Sequence, residues 1–164
     1  MAARQYRQLL NEISQLTLIP ESVMSQELTN LAIQGVDFSL YSIDGQPEQL
    51  MIHTDMGPLP DRRREEALLR LLDTNFFLFD APRTLAFSRN AQNGRIILSV
   101  VQPLAGLSGK AVIEQLGVLA VRAQVWRQNF FEDESLQIND SATTRGDRST
   151  PLAAKTTFSR RALP

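Results

Sequence analysis

The sequence predicts an α+β fold: an antiparallel twisted sheet of two hairpins with three helices, in the order α-β-β-α-β-β-α. Three observations carry that prediction. Apolar residues recur with a helical period in three separate stretches. Other stretches alternate apolar and polar residues, as half-buried strands do. Asp44-Gly45 and Asn93-Gly94, dipeptides that favour tight reversals, each separate two strand-like stretches.

In chain order, Arg4–Leu16 comes first. Tyr6, Leu9, Leu10, Ile13 and Leu16 make one apolar face, with Arg7, Gln8 and Glu12 on the other side. A helix this short is marginal alone, so its apolar face must dock on something. Thr17–Gln34 suggests a short helical segment, with Ser22 or Ser25 as caps and turns running through Met24, Leu28 and Leu31. Val36, Phe38 and Leu40 then alternate with Asp37, Ser39 and Tyr41, a strand over Val36–Ile43. Leu50–Met56 resumes the alternation, with Leu50, Ile52, Thr54 and Met56 on one face and Met51, His53 and Asp55 on the other.

Pro58 and Pro60 stop that strand, and Asp61 can cap the next helix. The helix lies within Leu59–Phe79, and Glu65 and Glu66 favour its N-terminal end. Leu68, Leu71, Leu72 and Phe76 form its apparent stripe, widened by Ala67 and Leu69. Arg83–Ser88 and Arg95–Gln102 make the second hairpin. The latter is apolar on both faces, which predicts a central, covered strand. Ser108 caps a last helix over Gly109–Phe131, whose row is Val112, Leu116, Leu119, Ala123, Trp126 and Phe130. Beyond it the apolar periodicity is lost. The chain divides into a domain over 1–131 and a polar, flexible tail over 132–164, acidic at Glu132-Asp133-Glu134 and basic at Arg160-Arg161.

With 43% apolar and 21% charged residues, the composition is that of an ordinary soluble domain. A net charge of −1 gives no electrostatic reason to expect nucleic acid or an anionic membrane. There is no cysteine, so disulfides, thiolate metal sites and thiol catalysis are excluded. The first residues lack the apolar core of a secretion signal, and no stretch nears the roughly 18 apolar residues of a membrane span. No membrane insertion is expected.

Catalytic and metal residues are expected to be none. The sole histidine, His53, lies on the polar face of its strand, and no motif supplies a serine partner. One histidine without cysteine leaves only carboxylates for a metal, and none has a ligand spacing. Gly106-Leu107-Ser108-Gly109-Lys110 misses the first glycine and the terminal hydroxyl of a phosphate loop, so it reads as a helix cap. Glu65 and Glu66, adjacent on a helix, do not face each other. Arg62-Arg63-Arg64 is too short and too mixed with acids for a nucleic-acid surface. The positive signal is apolar surface. Tyr41, Met51, Leu69, Phe76, Phe77 and Phe79 exceed what a single layer of packing needs, which points to a binding module.

Seven pieces in order sharpen that reading. They are Met56-Gly57-Pro58-Leu59-Pro60, Leu68-Leu69-Arg70-Leu71-Leu72, Asn75-Phe76-Phe77, Thr84-Leu85-Ala86-Phe87, Gly94-Arg95-Ile96-Ile97-Leu98, Gln102-Pro103-Leu104 and Ala123-Gln124-Val125-Trp126-Arg127. In combination they resemble the class I effector chaperones of type III secretion, the Tir-chaperone (CesT-like) family, over about Tyr6–Phe131. Leu18–Gln34 is longer than the family pattern, and Asp80-Ala81-Pro82-Arg83 replaces its glycine-rich link.

The resemblance implies a homodimer without enzymatic activity or cofactor. It implies a bacterial cytoplasmic chaperone that binds the N-terminal segment of a secreted effector in extended form and keeps it export-competent without ATP. Carried onto this chain, the dimer residues are Leu68, Leu69, Leu72, Phe76 and Phe77, and the effector-binding residues are Leu9, Ile13, Phe38, Leu40, Leu50 and Ile52. Two alternatives remain: a small α/β enzyme with a polar pocket near His53, Asp55 or Asp37, and a regulatory interaction domain of the same fold with another protein client.

Overall fold

The structure is a computed structural model, and it describes residues 2–20, 24, 27–45, 47–78 and 84–131. The elements are α1 (Ala2–Thr17), β1 (Thr29–Ile33), β2 (Val36–Ile43), β3 (Gln49–Gly57), α2 (Arg64–Leu78), β4 (Thr84–Arg89), β5 (Ile96–Pro103) and α3 (Gly109–Asn129). Both predicted hairpins and all three long helices are present. The sequence 132–164, read as a tail, and Phe79 lie outside the described residues.

The sheet has five antiparallel strands in the order β1-β2-β3-β5-β4. β1 is a strand where a short helical segment was expected. It pairs with β2 through the two-residue turn Gln34-Gly35, both with positive φ (53° and 74°). That is the mirror-image turn whose twist suits a hairpin. Tertiary pairing overrides a weak helical pattern here, because Thr29 and Leu31 turn inward and are buried.

β5 lies inside the sheet between β3 and β4, as its apolar run implied. Only one of its faces is fully covered. Ile96, Leu98 and Val100 are buried, whereas Ile97, Ser99 and Val101 are half-buried. The β4–β5 connection is a loop over 90–95 in which Asn90 O accepts from Gly94 N and Asn93 Oδ1 from Arg95 N. Asn93-Gly94 therefore closes a longer loop than a two-residue turn.

The core fills the space between one sheet face and the helices α1 and α3. Tyr6, Ile13, Phe38, Leu40, Leu50, Ile52, Leu98, Leu116 and Trp126 are all among its fully buried side chains. Tyr6 crosses from α1 to donate its hydroxyl to Leu40 O at 2.7 Å, and burial pushes its phenol pKa up. α1 and α3 meet where α3 begins. Glu12 Oε2 accepts from Gly109 N at 2.7 Å, placing a carboxylate at the positive end of α3. Ser108 completes that start by accepting from Ala111 N, the cap role expected of it.

Arg127 ties the far end of α3 to the sheet. It donates to three carbonyls, Met56 O, Gly35 O and Asp55 O, at 2.8–3.0 Å. β3 bulges there between Asp55 and Gly57. Gly57 has φ 110°, and a Cβ would stand 3.2 Å from Arg127 Cγ, so both backbone and space call for glycine.

Candidate interaction surface

α2 starts later than a cap at Asp61 implies. Residues 61–63 bend, Arg63 takes a positive φ of 56°, and its carbonyl accepts from Ala67 N. Glu65 and Glu66 then occupy the first turn, where the helix dipole favours them. Arg63 hydrogen-bonds Glu66, which holds that exposed carboxyl below the usual range.

The orientation of α2 is set by Asn75. Its Nδ2 donates to Phe87 O at 3.0 Å, and its Oδ1 accepts from Phe87 N at 2.7 Å. The amide thus imitates a neighbouring strand on β4, an outer strand of the sheet. It satisfies backbone groups that an edge would leave open. With Asn75 turned to β4, the buried row is Ala67, Leu71, Thr74 and Leu78.

This corrects the expected stripe. Of Leu68, Leu71, Leu72 and Phe76, only Leu71 faces the core. The others lie outside, with Leu68 36%, Leu69 53%, Leu72 64%, Phe76 78% and Phe77 74% exposed. Leu68, Leu72 and Phe76 follow one another at a spacing of four, a continuous ridge on one side of the helix. Phe76 and Phe77 meet edge to face at 5.5 Å. All five residues assigned to a dimer contact are therefore on the surface of the protomer.

The residues expected to form an effector groove are not. Leu9, Ile13, Phe38, Leu40, Leu50 and Ile52 are all 2% exposed or less. They are the inward faces of α1, β2 and β3 and are consumed by the core. The large apolar residues left outside near these elements are Leu16 in the last turn of α1, Leu18 just after it, and Leu28 before β1.

The other sheet face carries a constellation no motif announced. His53 Nε2 is 2.8 Å from Tyr41 Oη, and its Nδ1 is 2.9 Å from Ser99 Oγ. Register brings them together, since β2 and β5 flank β3 and Ser99 pairs with His53. A serine partner does exist for His53, then, 46 residues away in sequence. Burial lowers the histidine pKa, favouring neutral imidazole, which can donate to one hydroxyl and accept from the other. Asp55, on the same strand, is held by Arg95 Nε at 2.7 Å and 2.9 Å to its two oxygens.

A cleft of about 400 Å³ lies elsewhere, between the start of α2 and the end of α3. Asp61, Arg62, Arg63, Arg70 and Phe130 are among its walls, and His53, Asp55 and Asp37 are not. Among the described residues no group of three or more His, Cys, Asp or Glu side chains could hold a metal ion. No described helix is long and apolar enough to cross a membrane.

Comparison with known proteins follows the same lines. The family described as Tir chaperone protein (CesT) matches residues 8–127. No curated protein sequence matches at a significant level. Among solved structures, the HopA1-SchA chaperone-effector complex is similar with a TM-score of 0.60 at 18% identity, covering 78% of this chain and 97% of the other. The Yersinia pestis type III secretion chaperone SycH, in complex with a fragment of YscM2, gives 0.58 at 17% identity, covering 73% and 98%. The ExsC-ExsE complex gives 0.58 at 17% identity, covering 79% and 96%. At these identities the structural likeness establishes the fold.

Proposed function

Because the chain belongs to the Tir chaperone protein (CesT) family, we propose that it is a type III secretion chaperone working as a homodimer in the bacterial cytoplasm. Its client is the N-terminal segment of a secreted effector, held extended and export-competent without ATP. One observation carries the reading: α2 presents Leu69, Leu72, Phe76 and Phe77 at 53–78% exposure, on a helix already anchored through its other side. Continuous apolar surface of this kind marks a protein contact. A twofold axis through α2 would set the ridge of Leu68, Leu72 and Phe76 against its own copy, with Leu69 and Phe77 at the margins.

The effector would then use surface that the dimer leaves open. β1 is the other outer strand, and an extended peptide can add to such an edge through main-chain hydrogen bonds. Leu28 at its start, and Leu16 and Leu18 at the end of α1, are 45–90% exposed and offer apolar anchors. The enzyme alternative needs a polar pocket at His53. The cleft at α2 and α3 is lined by other residues, and among the described residues no carboxylate bonds the imidazole of the Ser99–His53–Tyr41 row.

Two measurements test the proposal. Sedimentation of the purified chain at micromolar concentration should show a dimer, and a stable monomer overturns the dimer. Co-expression with the secreted protein encoded beside it should give a soluble complex, lost when that protein's N-terminal segment is deleted. A complex that survives the deletion refutes N-terminal binding.

A further inference from the structure

We propose that Gln124 and Arg127 of α3 are positioning residues for the extended segment, a role that rests on the proposed client. They lock the β1–β2 turn, so that β1 stands as a preformed edge whose main chain at Asn30 and Ala32 pairs with the incoming strand. The two outer strands differ in how they are protected. On β4, the edge groups of Phe87 are taken by Asn75. On β1, Thr29–Ile33 contains no charged residue and no proline, and its pairing with β2 runs without a bulge. These are the devices by which strand edges are kept from pairing. An uncharged edge without them suits a partner that binds through its own main chain.

The register names the groups on offer. Gln34-Gly35 is a two-residue turn, so Ile33 and Val36 form a hydrogen-bonded pair. Such pairs alternate along an antiparallel ladder. Thr29 and Leu31 therefore also bond toward β2, while Asn30 and Ala32 aim their N–H and C=O groups away from it. Among the described residues no strand lies on that side. The Asn30 side chain is tied to the sheet face, where its Oδ1 accepts from Ser39 Oγ at 2.7 Å.

The turn is locally disfavoured. Gln34 sits at φ 53°, a conformation that glycine, asparagine and aspartate accept more readily than glutamine. α3 supplies the support. Gln124 Nε2 donates to Gln34 O and Arg127 Nη1 to Gly35 O, both at 3.0 Å. Arg127 also grips β3 through Met56 O and Asp55 O, and its neighbour Trp126 is fully buried, so the clamp is fixed to the core. β1 itself turns only Thr29, Leu31 and Ile33 inward. Its order therefore depends on the turn that α3 holds.

Hydrogen exchange and binding on the full chain test this, with the N-terminal segment of the secreted protein encoded beside it as the probe. Gln124→Ala should speed exchange of the Leu31 and Ile33 amides about fivefold, the effect of one neutral hydrogen bond lost. It should weaken binding of the segment about threefold, as fewer edges stay competent. Gln124→Ala/Gln34→Asn should recover both, because asparagine accepts the turn; recovery shows that Gln124 acts through the turn and not by touching the segment. Ala32→Pro deletes an outward N–H and no bond to β2, so it should weaken binding about tenfold while exchange in β3 and β5 stays as in the wild type. Faster exchange with wild-type binding in Gln124→Ala overturns the positioning role, and wild-type binding by Ala32→Pro overturns the edge. If Ala32→Pro instead turns a dimer into a monomer, the edge pairs with a second copy and the proposal fails. Failure of the client reading looks different: the wild-type chain itself then takes up no such segment, and the proposal falls with it.

Discussion

Gly109→Ala sets two effects of opposite sign against each other. On helix propensity alone, alanine should stabilise α3 by up to about 1 kcal/mol. The structure predicts the reverse. A Cβ at position 109 would stand 2.6 Å from Glu12 Cβ and 3.0 Å from both Glu12 C and Ile13 N. Carbon atoms rest at about 3.5–4.0 Å, so α1 must retreat by about 1 Å. Two of the obstructing atoms are backbone, so no rotamer change relieves the clash. Retreat opens the packing of Tyr6, Leu9 and Ile13, each at most 2% exposed. It also stretches the bond from Gly109 N to Glu12 Oε2. Overpacking of this kind costs about 1–3 kcal/mol, and a weakened hydrogen bond to a charge adds about 1 kcal/mol. Net destabilisation should be about 2 kcal/mol, near 5 °C in Tm for a chain of this size. Urea denaturation followed by the fluorescence of Trp126 reads it directly. Gly117→Ala is the control. It sits in the same helix with nothing within 4 Å of a Cβ, and should gain up to about 1 kcal/mol. If Gly109→Ala is as stable as the wild type or more so, α1 and α3 do not approach as described.

Three further predictions follow from other contacts. Leu72→Asp should convert the proposed dimer to monomer in sedimentation while leaving protomer stability within about 0.5 kcal/mol, because Leu72 is 64% exposed; an unchanged dimer removes α2 from the interface. Asn75→Ala should destabilise by about 1–3 kcal/mol and speed exchange at the Phe87 amide, since both backbone groups of Phe87 lose their partner; wild-type exchange at Phe87 contradicts the strand-mimicking role. Acidification should weaken the fold through His53, whose folded pKa is lowered by burial from an ordinary value of 6.5. The unfolded chain then binds the proton first, so stability is complete above about pH 6.5 and falls as pH drops through the folded pKa. Tm measured from pH 7.5 to 5.5 should show this slope, and His53→Gln should flatten it; an identical slope in both proteins assigns the effect elsewhere.

Much of the fold was legible because local pattern and tertiary demand agree. Val36–Ile43 and its partner Gln49–Gly57 alternate cleanly and have one buried face, so their register follows from which residues are apolar. α3 was readable for the same reason: Val112, Leu116, Leu119, Ala123 and Trp126 repeat at helical spacing and are all buried. Ser108 declared its cap, and the seven ordered pieces declared the family. β1 was not readable, because five residues with two inward side chains carry little signal until β2 is there to pair with.

What periodicity determined, then, was every element but β1 and the presence of surplus apolar surface on α2, while the seven ordered pieces carried the resemblance to the family. Which side of α2 that surplus occupies was decided only in three dimensions. The helix is apolar on two sides, so its own pattern allows either to face inward. A polar residue, Asn75, settles the choice by bonding the β4 edge, turning Leu71 and Leu78 in and Leu72 and Phe76 out. Burial decided the opposite for Leu9, Ile13, Phe38, Leu40, Leu50 and Ile52, which look equally adhesive in sequence and are spent inside the core. The Tyr41–His53–Ser99 row likewise exists only through strand register, which joins residues from three strands that no local spacing could relate. Hydrophobicity is a property of each side chain, but exposure belongs to the packing of the whole chain.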